Sequence, residues 1–105
     1  MMECVVVESP RDLLGTVVIS KKGRDKNKPG IIIGWLPGDF ALVADGRLRK
    51  VARPKKKNMR HLIYMKVRPD ELGARISEGE QFTDRMLRDG LAAFGELSKE
   101  GRQYG

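Results

Sequence analysis

Residues 30–46 read GIIIGWLPGDFALVADG, and this stretch decides the predicted fold. The β-branched and aromatic side chains of Ile31 to Leu36 are typical of a strand, which Pro37-Gly38-Asp39 ends in a turn. A second strand follows over Phe40 to Ala44. Asp45-Gly46 tolerates positive φ and predicts a two-residue hairpin turn into a further strand over Arg47 to Val51. The stretch therefore predicts consecutive antiparallel strands joined by tight turns.

Two more predicted strands flank this stretch. The residues Thr16-Val17-Val18-Ile19 predict one strand over Gly15 to Ser20, and another is predicted over His61 to Lys66. Five short strands with closely spaced turns favour a small antiparallel barrel, because closure removes the exposed edges of a sheet. Residues 15–66 form this predicted barrel, and residues 1–14 precede it as an N-terminal extension.

The last part of the chain, residues 67–105, changes to a helical period. Pro69-Asp70 predicts a short helix through about Ile76, with Asp70 as its cap. Ser77-Glu78-Gly79-Glu80 matches a capping box that would start a second helix. Gly95 predicts the end of that helix, and residues 98–105 predict a frayed tail. The expected fold is mainly β with two C-terminal helices.

The second helix, predicted over residues 80–94, is amphipathic. Its apolar half predicts packing either on the barrel or on a partner protein. Its polar half carries two pairs at i,i+4 spacing, Asp84 with Arg88 and Arg85 with Asp89. The apolar half consists of Phe82, Met86, Leu87, Gly90, Leu91, Ala93 and Phe94.

Positive charge is concentrated in the middle of the chain. The net charge is +7, of which residues 20–66 carry +11 and each flank carries −2. The cations lie mainly in residues 20–30, a loop too charged to be buried, and in residues 47–61. On one barrel these two segments predict a continuous basic stripe for a polyanion such as nucleic acid, with salt-dependent affinity. The alternative is that the lysines only solvate the surface.

Three pieces of this region resemble a known family. They are residues 17–26 (VVISKKGRDK), 43–51 (VADGRLRKV) and 54–62 (PKKKNMRHL). In this order they look like bacterial KOW-domain RNA-binding proteins, a family that is itself similar to KOW-type large-subunit ribosomal proteins. The resemblance implies an SH3-like barrel that contacts RNA through the loop at Gly23 to Lys28 and through Lys55 to Lys57. The chain departs from the family pattern at Asn27-Lys28-Pro29, where many KOW loops are glycine-rich and have no proline. Pro29 fixes its own φ and lacks a backbone N–H.

The predicted RNA contacts are the cations of both basic segments and one histidine. Asp25 and Asp45 are expected to stabilise turns rather than to recognise RNA. His61 has two candidate roles, a phosphate contact and a structural hydrogen bond at a strand start. The set of predicted RNA-binding residues is Lys21, Lys22, Arg24, Lys26, Lys28, Arg47, Arg49, Lys50, Arg53, Lys55, Lys56, Lys57, Arg60 and His61.

Three aromatic side chains could stack on unpaired bases: Trp35, Phe40 and Tyr64. In a small barrel such residues more often belong to the core, and we assign Phe40 there. Alternation puts Ile31, Ile33 and Trp35 on one face of their strand, which leaves both roles open for Trp35.

Enzymatic and metal-binding functions find no support in the residue types of the chain. One cysteine, Cys4, and one histidine, His61, cannot form an internal disulfide or supply a four-ligand zinc site. The sequence lacks G-x-x-x-x-G-K-[ST], H-E-x-x-H and G-x-S-x-G motifs, so we expect a non-enzyme with no cofactor or small-molecule substrate. The longest apolar stretch, Gly30 to Leu36, is too short to span a membrane, and the N-terminus lacks a signal-peptide pattern. These features predict a cytoplasmic protein.

The sequence thus predicts a ribosomal-protein-like protein that binds structured, ribosomal RNA, with ribosomal proteins as possible neighbours. Two alternatives stay open. A protein-interaction adaptor would dock through the barrel and the amphipathic helix, and its binding would be insensitive to salt. A transcription-associated KOW module would also contact nucleic acid, but it would co-purify with RNA polymerase.

Overall fold

Five strands form one antiparallel sheet, and two helices follow it along the chain. The structure is a computed structural model that describes residues 13–23, 26–65 and 69–101. Within these ranges, no helix is long and apolar enough to cross a membrane. The elements are β1 (Val17–Ser20), β2 (Pro29–Leu36), β3 (Phe40–Ala44), β4 (Lys55–Asn58), a 3₁₀ turn (Met59–His61), β5 (Leu62–Tyr64), α1 (Asp70–Ser77) and α2 (Asp84–Gly101).

The predicted class, mainly β with a helical C-terminal part, is confirmed, but the fourth strand was misplaced. Residues 47–51 form a turn region because the Asp45 carboxylate accepts the backbone N–H groups of Arg47 (2.8 Å) and Arg49 (2.9 Å). These amides are therefore not available for a ladder, and the two-residue hairpin does not form. Pairing with β3 resumes at Lys55, which lies opposite Val43.

The sheet is open and strongly curled. Its order is β4-β3-β2-β1-β5, and no ladder joins the two edge strands within the described residues. In a flat sheet these edges would lie about 19 Å apart. The 3₁₀ turn links them directly, and the chain from Asn58 to Leu62 can span only about 15 Å. The two edges must therefore approach each other.

Alternate residues of the strands fill two core clusters, one on each face of the sheet. The inner cluster, on the face away from the helices, consists of Val18, Ile32, Ala41, Val43 and Leu62. The outer cluster lies between the sheet and the helices and consists of Val17, Ile31, Ala44, Leu72, Ile76, Leu87 and Phe94. Leu87 is 0% exposed, so the apolar side of α2 packs on the protein's own sheet.

The helix ends differ from the prediction in three places. Pro69 is the N-cap of α1, so Asp70 is the first helical residue and not the cap. The sequence Ser77-Glu78-Gly79-Glu80 ends α1 instead of starting α2. Gly79 has φ +77°, and the Glu80 N–H donates to the Arg75 carbonyl (2.8 Å), which is a Schellman motif.

Helix α2 begins after Thr83, whose hydroxyl oxygen accepts the Met86 N–H at 3.2 Å. It continues past Gly95 to Gly101, so the predicted stop at Gly95 is wrong, and the helix includes residues 98–101 of the segment predicted as a frayed tail. The expected pair Arg85–Asp89 is present, with 3.9 Å between Nε and Oδ2. Ala93, expected on the apolar half, is exposed.

Candidate nucleic-acid interface

The two basic connections, residues 21–28 and 45–54, leave the same end of the sheet. Pairing sets Ile19 opposite Pro29, and Ile31 opposite Ala44, so β1 ends where β2 begins and β3 ends. Lys55 pairs with Val43, which starts β4 at this end as well. We call the surface formed by these two connections and the start of β4 the basic end.

Side chains from the two connections meet at this end. A small cavity of about 20 Å³ is lined by four cations, and a neighbouring groove of about 280 Å³ is lined by three. Lys28 contributes to both, so the two spaces are adjacent. The cations of the cavity are Lys28, Arg49, Lys55 and Lys57; those of the groove are Lys28, Arg47 and Arg88.

The described cations of the two basic connections are not held in ion pairs with acids. Between described residues, the ion pairs are Arg75–Glu71 and Arg85–Asp89, and both lie on the helices. Asp45, the acid of the second basic connection, accepts two backbone N–H groups with one of its carboxylate oxygens. A surface of this kind attracts polyanions, because its field is not cancelled locally.

The predicted residues differ in their exposure. Exposed side chains are Lys21, Lys22, Lys26, Lys28, Arg47, Lys50, Arg53, Lys56 and Arg60, and half-buried ones are Arg49, Lys55 and His61. Arg24, together with Asp25, Lys66 and Cys4, lies outside the described residues. Arg60 and His61 belong to the 3₁₀ turn rather than to either basic connection, and Asn58 Oδ1 caps this turn by accepting the Arg60 N–H at 2.9 Å. The His61 carbonyl accepts the Lys21 N–H at 2.7 Å.

Lys55 to Lys57 form an edge strand and not a solvated loop. Alternation points their side chains to two faces, since Lys57 lies opposite Ala41 of the inner cluster whereas Lys56 lies opposite Leu42. Lys57 is only 9% exposed, and its Nζ donates to the Lys22 carbonyl at 3.2 Å. Lysines on an edge strand also prevent pairing with another chain.

Helix α2 holds the second basic connection in place. Asp84 Oδ1 accepts the backbone N–H of Val51 at 2.7 Å, and Arg88 Nη1 donates to the carbonyl of Gly46 at 2.8 Å. Gly46 has φ +81°, and a Cβ there would overlap the Asp84 carbonyl oxygen. The expected Asp84–Arg88 pair is thus replaced by two contacts with the connection. Helical periodicity gives no signal for such contacts, and the sequence prediction missed both residues.

The three aromatic residues have different surroundings. Trp35 is 43% exposed, so its ring is accessible for stacking. A bulge between Ile32 and Gly34 breaks the alternation of β2, and Trp35 lies opposite Ala41 of the inner cluster rather than on the face of Ile31. Ile31 and Ile33 share the face of the outer cluster as expected, but the expected place of Trp35 on that face is wrong.

Phe40 is half-buried and lies outside both core clusters, which corrects its assignment to the core. The Nζ of Lys56 lies 4.4 Å from its ring centroid. Tyr64 packs on the inner cluster, and its hydroxyl donates to the Met59 carbonyl at 3.0 Å. Burial, and secondly the negative charge of Asp39, raise the pKa of this phenol.

Among the described residues, no group of three or more His, Cys, Asp or Glu side chains could hold a metal ion. No protein-family model matches the chain, and no curated protein matches it. The similarity to KOW proteins therefore stays a prediction, and the function has to be inferred from the residues of the basic end.

Proposed function

We propose that this protein binds structured RNA through the basic end, as a ribosome-associated, cytoplasmic protein without enzymatic activity. One observation carries the proposal. Two connections that are separate in sequence place their cations at one end of the sheet, and the ion pairs between described residues do not involve them. Convergent cations of this kind neutralise several phosphates at once and release the counterions condensed on the nucleic acid.

We further propose that the curled sheet is an SH3-like barrel of the KOW type. The consecutive order of β1 to β4 and the return of β5 to the side of β1 support this assignment. The short link between the two edge strands supports it as well. The basic end would then correspond to the loops that the KOW resemblance implicates in RNA binding.

The mechanism is positional. Arg47 and Arg49 can each donate two parallel hydrogen bonds to a phosphate, whereas the lysines act as point charges. Such contacts set affinity and orientation but carry no base sequence. Preference for a structured RNA would come from the shape of its backbone and from exposed bases, for which Trp35 offers an accessible ring.

The alternative function as a protein-interaction adaptor is weakened, because one of its two expected docking surfaces, the apolar side of α2, is buried within the protein. Its amphipathic helix would need a free apolar side, but Leu87 and Phe94 of α2 are buried in the outer cluster. The lysines of β4 can be explained without RNA, because charged side chains on an edge strand prevent pairing with another chain. This explanation does not extend to the arginines of residues 45–54, which are not in a strand. RNA binding is therefore the function that explains more of the surface.

The proposal is tested by salt-dependent binding to a stem-loop fragment of large-subunit ribosomal RNA. The double variant Lys26→Glu/Lys50→Glu changes one exposed cation on each connection. The control is Arg85→Glu, which reverses one charge where the double variant reverses two. The Arg85 side chain is 83% exposed on α2 and lines neither the cavity nor the groove.

We expect the double variant to weaken binding at low salt and to reduce the salt slope by about 1 for each phosphate that is no longer neutralised. Arg85→Glu should leave the slope unchanged. A slope near zero for the unaltered protein, or equal losses in both variants, would refute the proposal. Crosslinking in cells, with sequencing of the attached RNA, then separates ribosomal RNA from the nascent transcripts that a polymerase-bound module would contact.

A further inference from the structure

Helix α2 forms one wall of the groove at the basic end. The other walls come from residues 28–29 at the start of β2 and from the turn after β3, so three separate parts of the chain line an open groove of about 280 Å³. This volume is close to the lower limit of small-ligand sites, about 300 Å³, which suits one nucleotide unit rather than a protein domain. The lining residues are Lys28, Pro29, Asp45, Arg47, Arg88, Leu91 and Ala92.

The lining combines cations with apolar surface. Each wall supplies one cation, namely Lys28, Arg47 and Arg88, and one carboxylate, that of Asp45, opposes them. A guanidinium has five N–H donors, so the hydrogen bond from Arg88 to Gly46 leaves the others for a ligand. The groove therefore has an excess of positive charge and of charged donors for an anion.

The apolar part of the lining consists of Pro29, Leu91 and Ala92. A free inorganic anion would use only the cations, whereas a sugar-phosphate unit carries an anionic phosphate next to a less polar ribose. This juxtaposition matches the two kinds of surface in the groove. It also explains why a helix outside the segment that resembles KOW proteins directs Arg88 at the basic end.

We propose that this groove binds a phosphate and its ribose in the backbone of the bound RNA, which makes α2 a third component of the interface. The inference rests on the proposed RNA-binding function. It adds Arg88, Leu91 and Ala92 to the interface, none of which the sequence predicted as RNA contacts. The adjoining basic connections then continue the path of the RNA away from the groove.

Two neighbouring alanines of α2 provide a matched test. Ala92 and Ala93 are both exposed, but only Ala92 lines the groove. Glutamate and lysine are good helix formers, so both residues can be introduced at either position without disturbing α2. Thermal unfolding of Ala92→Glu, Ala92→Lys, Ala93→Glu and Ala93→Lys verifies that each variant is folded.

With the same ribosomal RNA fragment, we expect Ala92→Glu to weaken binding about tenfold, since its carboxylate would lie within several Å of the phosphate. Ala92→Lys should bind as tightly as the unaltered chain or more tightly. Both Ala93 variants should stay within about twofold, because their charge lies outside the groove. Equal effects at positions 92 and 93 would refute the groove as a binding site.

A photocrosslinking amino acid at position 92 provides a second readout in cells. We expect it to attach RNA, while the same group at position 93 attaches far less. Attachment of a protein at position 92 in place of RNA would overturn the inference. If Lys26→Glu/Lys50→Glu abolishes binding but Ala92→Glu does not weaken it, the groove proposal fails while the proposed function stands.

Discussion

Replacing Asp84 by alanine should release the connection between β3 and β4 from helix α2. The carboxylate accepts the Val51 N–H at 2.7 Å, and this hydrogen bond is partly buried. A hydrogen bond to a charged group contributes about 1.5–3 kcal/mol, and an acidic residue in the first turn of a helix adds about 0.3–1 kcal/mol. We therefore expect Asp84→Ala to lower the free energy of unfolding by about 2–4 kcal/mol.

The control is Asp89→Ala, which removes the same charge from the same helix. The Asp89 side chain is 75% exposed and its partner Arg85 lies 3.9 Å away, so its loss should change stability by less than about 0.5 kcal/mol. Thermal unfolding at pH 7 separates the two variants, because about 2–4 kcal/mol corresponds to roughly 8–18 °C in a domain of this size. Asp84→Asn keeps an acceptor oxygen and should lose less than Asp84→Ala.

RNA affinity distinguishes anchoring of the connection from simple charge. Both alanine variants raise the net charge from +7 to +8, which alone would strengthen RNA binding. If Asp84 positions the basic connection, Asp84→Ala should bind RNA more weakly than Asp89→Ala despite the identical charge. Equal melting temperatures would show that the hydrogen bond to Val51 contributes nothing. Equal affinities would show that the anchored connection is not part of the interface.

Three further perturbations test the packing. Gly46→Ala should lower the free energy of unfolding by at least about 2 kcal/mol more than Gly79→Ala does. Both glycines have positive φ, but only a Cβ at position 46 would meet other atoms. Equal losses of stability in urea unfolding would contradict this expectation. Leu87→Ala removes a side chain that is 0% exposed and should cost about 2–5 kcal/mol in one cooperative transition; selective melting of α2 would argue against the shared core. The Tyr64 pKa is raised above 10.0 in the folded protein, so its neutral phenol stabilises the fold below pH 10 and this contribution is lost as the pH rises through the raised pKa. Urea unfolding should therefore show Tyr64→Phe to be about 1 kcal/mol less stable than the unaltered protein at pH 8, and this difference should shrink above pH 10. A difference in stability that stays constant with pH would refute the raised pKa of Tyr64.

The strands that could be predicted from sequence are those with a local signal. Runs of β-branched residues indicate β1 and β2, and the turn residues on either side of Phe40 to Ala44 indicate β3. The fourth strand was misplaced because Asp45 bonds its own neighbours and because Val51 bonds Asp84, which is distant in sequence. The sequence of residues 77–80, Ser-Glu-Gly-Glu, is compatible with a capping box at the start of a helix and with a Schellman motif at the end of one. The structure has the Schellman motif, because Gly79 adopts the left-handed conformation.

The convergence of the basic connections followed from charge and strand order, but the role of α2 did not. A helical wheel represents only the helix itself, so it placed Arg88 in solvent, whereas the fold directs its side chain at Gly46. The burial of Lys57 would follow from strand alternation once residues 55–58 are recognised as a strand. A run of three lysines conceals that signal, because charge suggests exposure for all of them.

The outer cluster limits how this protein could be divided or transplanted. Leu72, Leu87 and Phe94 cover the same surface to which the sheet contributes Val17 and Ile31. A fragment cut after β5 would leave these two strand residues in water and would be expected to self-associate. The five-stranded sheet is thus only part of a folding unit. A transfer of the two basic connections to another protein would have to include both helices.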